Sequence, residues 1–110
     1  MDILKRAIGG EQQAILQLIE QDEDLLYAIA FSYVKQEADA LDAMQELTYK
    51  ALRKMHTIKD PAYARTWLTR VLINCCLDIL KKRLVVMDQL VEHAIAPPEV
   101  SDLQTLLQQL

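Results

Sequence analysis

The sequence predicts an all-α protein, a compact bundle of about four to five helices with a short further helix at the C-terminus. Three observations support this fold class. The chain has 110 residues, enough for one domain with a modest core. Hydrophobic residues make up 52% of it, with only two Gly and three Pro, which favours helices over a β-rich or disordered chain. Its apolar residues also recur at intervals of three and four along most of the length.

The first part of the chain is predicted to hold helices joined by short connections. Residues 1–8 form a short amphipathic helix that the glycine pair 9–10 ends. A second helix follows from Glu11, and the acidic residues 21–24 make a turn or a kink before a strongly apolar helix. Residues 36–38 are too short a connection for anything but an antiparallel helical neighbour, so the next helix should run back along this one.

That next helix, predicted over about residues 38–55, has two different faces. Its apolar stripe is expected to pack on the preceding helix and consists of Leu41, Met44, Thr48, Ala51, Leu52 and Met55. A second strip lies on the exposed side and consists of Asp42, Gln45, Glu46, Tyr49 and Arg53. This strip begins acidic and turns basic, as the helix dipole favours on any solvated face. It could equally dock a basic partner helix, and both interpretations stay open.

The most informative helix is predicted over residues 61–83, after a loop at 56–62 with turn residues Asp60 and Pro61. Pro suits a first helical position, and the three cations at 81–83 suit a helix C-terminus. The stripe expected to be buried consists of Ala64, Trp67, Leu68, Val71, Leu72, Cys75, Ile79 and Leu80. The other face suits phosphates and base edges and consists of Arg65, Thr66, Thr69, Arg70, Asn74 and Lys81.

The remaining residues are predicted to lie outside this bundle. Residues 84–100 form a linker in which a Pro-Pro pair forces an extended break. Residues 101–110 start a new helix with Ser101 as its N-cap. The expected division is therefore a helical domain over residues 1–83, a linker, and the first turns of a truncated C-terminal domain.

Charge is unevenly distributed along the chain. The formal net charge is −4, but residues 1–49 carry three Lys or Arg against ten Asp or Glu, a net −7. Residues 50–83 carry nine against two, a net +7, and residues 84–110 carry four acids and no Lys or Arg. Such a chain can bind two partners of opposite sign, or it can have two solvated faces of a bundle.

No enzymatic chemistry is indicated. His56 and His93 lack metal-ligand spacing with the cysteines or a carboxylate, and no phosphate loop or nucleophile motif occurs. The adjacent Cys75 and Cys76 are expected to be small core or groove residues rather than a disulfide. No apolar run is long enough to span a membrane, and no signal peptide is present. We expect a cytoplasmic protein without a metal or cofactor.

Two stretches together resemble the second conserved region of bacterial RNA polymerase sigma factors, in the extracytoplasmic-function (ECF) subgroup. They are DALDAMQE at 39–46 and RTWLTRVLINCCLDILKKR at 65–83. The matching residues are Asp42, Gln45, Glu46, Trp67, Leu68, Arg70, Val71, Asn74, Asp78, Leu80 and Lys81. Residues 7–21 are similar to the family's leading helices, and residues 101–110 to the opening of its second domain.

This resemblance implies a promoter-binding domain without catalysis of its own. Docking on the coiled coil of the polymerase's largest subunit is implied for Asp42, Gln45, Glu46 and Thr48, with Tyr49 on the same strip. Binding of the promoter −10 element as single-stranded DNA is implied for Lys59, Tyr63, Arg65, Thr66, Arg70 and Asn74, and phosphate contacts for Arg53, Lys54, Lys81 and Lys82. An anti-sigma factor would be a further partner.

One departure from the family pattern concerns DNA melting. The position three before Trp67, often aromatic in the family, is Ala64, so either the adjacent Tyr63 substitutes or the melting contact is weaker. Trp67 lies on the apolar stripe and is expected to be a core residue rather than a base-stacking one. The alternative function is a helical module that binds only protein. The salt dependence of DNA binding separates the two, because displacing phosphate counterions makes affinity fall steeply with salt.

Overall fold

The computed structural model describes residues 2–94 of the chain. Every regular element within them is helical, which confirms the predicted all-α fold class. The helices are α1 (Ile3–Ile8), α2 (Gln12–Gln21), α3 (Glu23–Val34), α4 (Glu37–Lys54) and α5 (Ala64–Ala94). Two 3₁₀ turns, Met55–Thr57 and Pro61–Tyr63, lie between α4 and α5. The chain forms two compact units, one ending at Ile79 and one beginning at Leu80.

The first helices begin and end at capping and turn residues. The Asp2 carboxylate accepts a hydrogen bond from the Leu4 amide at 3.1 Å and caps α1. Gly10, with φ of 91°, adopts the left-handed region that glycine tolerates best, and it separates α1 from α2. The break between α2 and α3 falls at Asp22, within the predicted acidic turn. Lys35 closes α3 with φ of 62°, and α4 follows after a single further residue. These ends agree with the predicted ones.

The core of the first unit is apolar and continuous through its helices. Its largest fully buried side chains are Ile15, Leu18, Leu26, Val34, Leu47, Met55, Leu68, Leu72 and Cys76. Between α3 and α4, contact is close because small residues line both helices: Ala30 on α3 and Ala40 and Ala43 on α4 are completely buried. The distance between packed helix axes depends on side-chain size, so these alanines allow a tight α3–α4 pair.

The buried stripe of α4 differs from the predicted one. Leu41 was expected in the core but is 48% exposed, and Met44, Thr48 and Leu52 are only half-buried. The stripe that is buried consists of Ala40, Ala43, Leu47 and Ala51. The prediction for Leu41 is wrong because hydropathy favours leucine over alanine, whereas the tight helix pair requires the smaller side chains at its contact.

Helix α5 differs from its prediction at both ends. Pro61 opens a 3₁₀ turn rather than the helix, which begins at Ala64. The helix was expected to end at Arg83 but continues to Ala94. Residues 84–94 contain no Gly or Pro, so nothing in the backbone stops the helix after the three cations. The predicted helix over residues 101–110 lies outside the described residues, and the predicted domain boundaries stay a prediction.

Candidate functional site

An open groove of about 430 Å³ lies at the start of α5, within the first unit. Its lining residues are Thr57, Ile58, Lys59, Asp60, Tyr63 and Trp67. The Asp60 carboxylate accepts from the Ala62 amide at 3.0 Å and caps the second 3₁₀ turn. Ile58, between the two turns, is only 8% exposed. Helix α1 packs against both turns. These contacts give the loop before α5 a defined shape.

Two aromatic side chains line this groove and have different surroundings. Tyr63 is 39% exposed, and the guanidinium carbon of Arg70 lies 5.9 Å from its ring centroid, a cation–π contact. Trp67 is only half-buried and is not one of the buried core residues, so its predicted core position is wrong in part: its side chain also lines the groove. The exposed Lys59 adds a positive charge. A groove of this composition can stack an unpaired base and attract a phosphate.

The remaining predicted DNA contacts are exposed. In the first unit these are Arg53, Lys54, Arg65, Thr66, Arg70 and Asn74, and in the second unit Lys81 and Lys82. Arg53 has a partner one helical turn away: its Nη1 donates to the Tyr49 hydroxyl at 2.6 Å, and its guanidinium carbon lies 5.2 Å from that ring's centroid. Tyr49 and Arg53 therefore form one local unit on the exposed strip of α4.

Arg65 also has a partner, one that the sequence did not indicate. Its Nη1 donates to both carboxylate oxygens of Asp22, at 2.5 and 2.6 Å. Asp22 lies 43 positions earlier in the chain, at the break between α2 and α3. The guanidinium predicted to contact DNA is thus already paired with a carboxylate.

A second groove of about 310 Å³ is lined by residues of α2, α3 and α4. These residues are Leu16, Ile19, Glu20, Glu23, Leu41, Met44, Gln45 and Thr48. Leu16 and Leu41 leave 45% and 48% of their surfaces exposed, and Glu20 and Glu23 add two carboxylates. The groove can therefore accept an apolar side chain and a cation from the same partner.

The predicted docking strip of α4 borders this second groove. Asp42, Gln45, Glu46 and Tyr49 are exposed as predicted, and Gln45 also lines the groove. Thr48 is less available as a donor, because its hydroxyl donates to the Met44 carbonyl at 3.0 Å. Leu16, Glu20 and Glu23 come from α2 and α3 and were not predicted from the sequence. The acidic excess of residues 1–49 was a signal for the two glutamates but not for Leu16.

The two cysteines take no part in either groove. Cys75 and Cys76 are 3% and 0% exposed, and neither forms a disulfide. Burial raises the pKa of both thiols, so they stay protonated and unreactive. In residues 2–94 no cluster of His, Cys, Asp and Glu could hold a metal ion. Nor does any helix in that range have the length and apolar character needed to cross a membrane.

Comparison with known families identifies the segment that carries the first groove and all of the second except Leu16. The model of sigma-70 region 2 matches residues 18–84, more than half of the chain. The chain belongs to this family. The matched segment contains the last four residues of α2, all of α3 and α4, and the part of α5 that lines the first groove. The resemblance seen in the motifs at 39–46 and 65–83 is thereby confirmed.

Curated relatives of this sigma-70 region 2 chain are sigma factors by name. RNA polymerase sigma factor SigV of Bacillus subtilis is 41% identical over 57 residues, which are 52% of this chain and 34% of that protein. ECF RNA polymerase sigma factor SigM of Mycobacterium tuberculosis is 28% identical over 81 residues, 74% of this chain and 41% of that protein. The chain thus spans less than half the length of either relative. No solved structure matches it significantly.

Proposed function

We propose that the chain binds RNA polymerase core and the promoter −10 element, and so directs transcription initiation as part of an ECF sigma factor. The family and the names of its relatives support this function. The observation that carries the DNA-binding part is the groove at the start of α5. It brings Tyr63, Trp67 and Lys59 together beside a helix face with Arg70 and Asn74.

Single-stranded DNA suits this groove better than a duplex. Stacking on an exposed aromatic ring requires a base whose face is free, and a paired base is covered by its neighbours. Tyr63 and Trp67 supply the aromatic surface, and Asn74 has an amide able to bind a base edge. Thr66 and Arg70 share the exposed side of α5. Arg53 and Lys54, exposed at the end of α4, could contact phosphates.

The second groove and the exposed strip of α4 suit a basic, partly apolar helix. The coiled coil of the polymerase's largest subunit is the partner that family membership suggests. Asp42 and Glu46 would accept charge-assisted hydrogen bonds from its cations, and Gln45 can both donate and accept. Leu16 and Leu41 would bury apolar area that is now exposed to water.

DNA binding is tested by fluorescence anisotropy with a labelled promoter non-template strand. We expect the −10 strand to bind more tightly than a scrambled strand of equal length, and affinity to fall as salt rises. Asn74→Ala should lower affinity for the −10 strand about fivefold, on the order of 1 kcal/mol for one lost base-edge contact. Gln13→Ala, which removes an exposed amide from α2, is the matched control. Absence of binding at low salt would favour the protein-only module.

Polymerase docking is tested with a second pair of variants. Gln45→Ala combined with Glu46→Lys should weaken binding to polymerase core while leaving single-strand affinity unchanged. The matched control is Gln36→Ala with Glu37→Lys, because the same dipeptide there is exposed at the start of α4 and lines neither groove. Equal core affinity of the two double variants would contradict the assignment of this surface.

A further inference from the structure

The ion pair between Asp22 and Arg65 connects two distant parts of the first unit. It joins the break between α2 and α3 to the first turn of α5. The Arg65 side chain is 48% exposed, whereas that of Asp22 is only 20% exposed. The carboxylate is therefore the more enclosed partner, and the arginine reaches to it.

The carboxylate of Asp22 makes this contact in place of a local one. Asp22 is the residue before α3, the N-cap position, where an aspartate side chain usually accepts from amides of the first helical turn. Here it makes no such capping bond. The available acceptor oxygens face the guanidinium of Arg65 instead, at 2.5 and 2.6 Å.

Arg65 lies beside the first groove, which we propose binds DNA and which is called the DNA groove below. Tyr63, two residues before it, and Trp67, two residues after it, both line that groove. The pair thus connects the residue midway between the two aromatic side chains to the break between α2 and α3. A guanidinium already neutralised by a carboxylate also has less to gain from a phosphate.

We propose that Asp22 is a positioning residue for the DNA groove, and that Arg65 acts through this ion pair rather than as a phosphate ligand. The proposal deepens the proposed function and rests on it for its DNA-binding consequence. Its structural part, the alignment of Tyr63 and Trp67 by the pair, concerns the free protein alone.

Trp67 offers a direct readout, because it is the only tryptophan of the chain. Acrylamide quenching of its fluorescence measures the exposure of the groove wall without DNA. The variants are Asp22→Arg, Arg65→Asp and the exchanged pair, with Asp24→Arg as a charge-matched control on an exposed acid of α3. If a charge reversal prevents folding, Asp22→Asn and Arg65→Gln replace it.

Each single variant should raise quenching of Trp67, and Asp22→Arg should bind the −10 strand about 1.4- to 5-fold more weakly than its charge-matched control Asp24→Arg, the range that an exposed ion pair supports. The exchanged pair should restore both, to within twofold of the original protein. Arg65→Gln should leave the salt dependence of binding unchanged, because no counterion is displaced by this side chain.

The opposite pattern would overturn the proposal. It consists of unchanged quenching in all variants, weak binding that the exchanged pair does not restore, and a salt slope lowered by about 0.7 in Arg65→Gln, as for one lost phosphate contact on a single strand. If no form of the protein binds DNA, the proposed function fails, and quenching alone then decides whether the pair positions the groove.

Discussion

Replacing Tyr63 with alanine would test the proposed role of its ring in binding DNA at the first groove. Tyr63 is 39% exposed and lines the groove, so part of its side chain is accessible to a base. One base–aromatic stack is worth about 1–3 kcal/mol, which predicts a loss of about 5- to 160-fold in affinity for the −10 strand. The substitution also removes the cation–π contact with Arg70, and the release of Arg70 would offset at most about 0.5–1 kcal/mol of the lost stacking free energy.

The assay is the same anisotropy titration, with two controls. Tyr63→Phe keeps the ring and should bind within about twofold of the original protein, because the stacking surface is unchanged. Tyr33→Ala removes a ring of nearly equal exposure, 38%, that lines neither groove. The reasoning is refuted if Tyr63→Ala binds as tightly as Tyr33→Ala, or if Tyr63→Phe binds as weakly as Tyr63→Ala.

Three further predictions concern stability and reactivity. Leu47→Ala should lower the free energy of unfolding by about 2–5 kcal/mol in a denaturant titration, because Leu47 is completely buried. The control Leu25→Ala should change the free energy of unfolding by less than about 0.5 kcal/mol, because Leu25 is 62% exposed. Gly10→Ala should cost about 1–2 kcal/mol in the same titration, since φ is 91° there, and an equal stability would contradict this. The thiols of Cys75 and Cys76 should resist a thiol reagent at neutral pH until the chain unfolds, and prompt labelling of the folded protein would contradict this. Because burial raises the pKa of both thiols, the free energy of unfolding should fall as pH rises above the ordinary thiol pKa.

The helices were predictable because their signals are local. The cap at Asp2, the glycines after α1 and the acidic break at residues 21–24 each act over one helical turn. The end of α5 was not predictable, because a run of cations favours a helix C-terminus without requiring one. Gly and Pro are the residues that disfavour a helix most strongly, and residues 84–94 have neither.

The candidate site was predictable only where it lies on a single element. The exposed residues of α4 and α5 follow from helical periodicity, and the structure shows Gln45, Glu46, Arg70 and Asn74 exposed as expected. Grooves and ion pairs between distant segments leave no comparable pattern. The Asp22–Arg65 pair spans 43 positions, so neither partner could be assigned from its neighbours.

The packing of α1 on both 3₁₀ turns has a practical consequence for work with this protein. Ala7 of α1 is completely buried, and the helix has only six residues, so its stability comes from this packing rather than from its length. An affinity tag fused directly before Asp2 would sit beside the helix that packs on the turns of the first groove. Binding measurements should therefore use tag-free protein, or a tag placed elsewhere, before a weak affinity is ascribed to the groove itself.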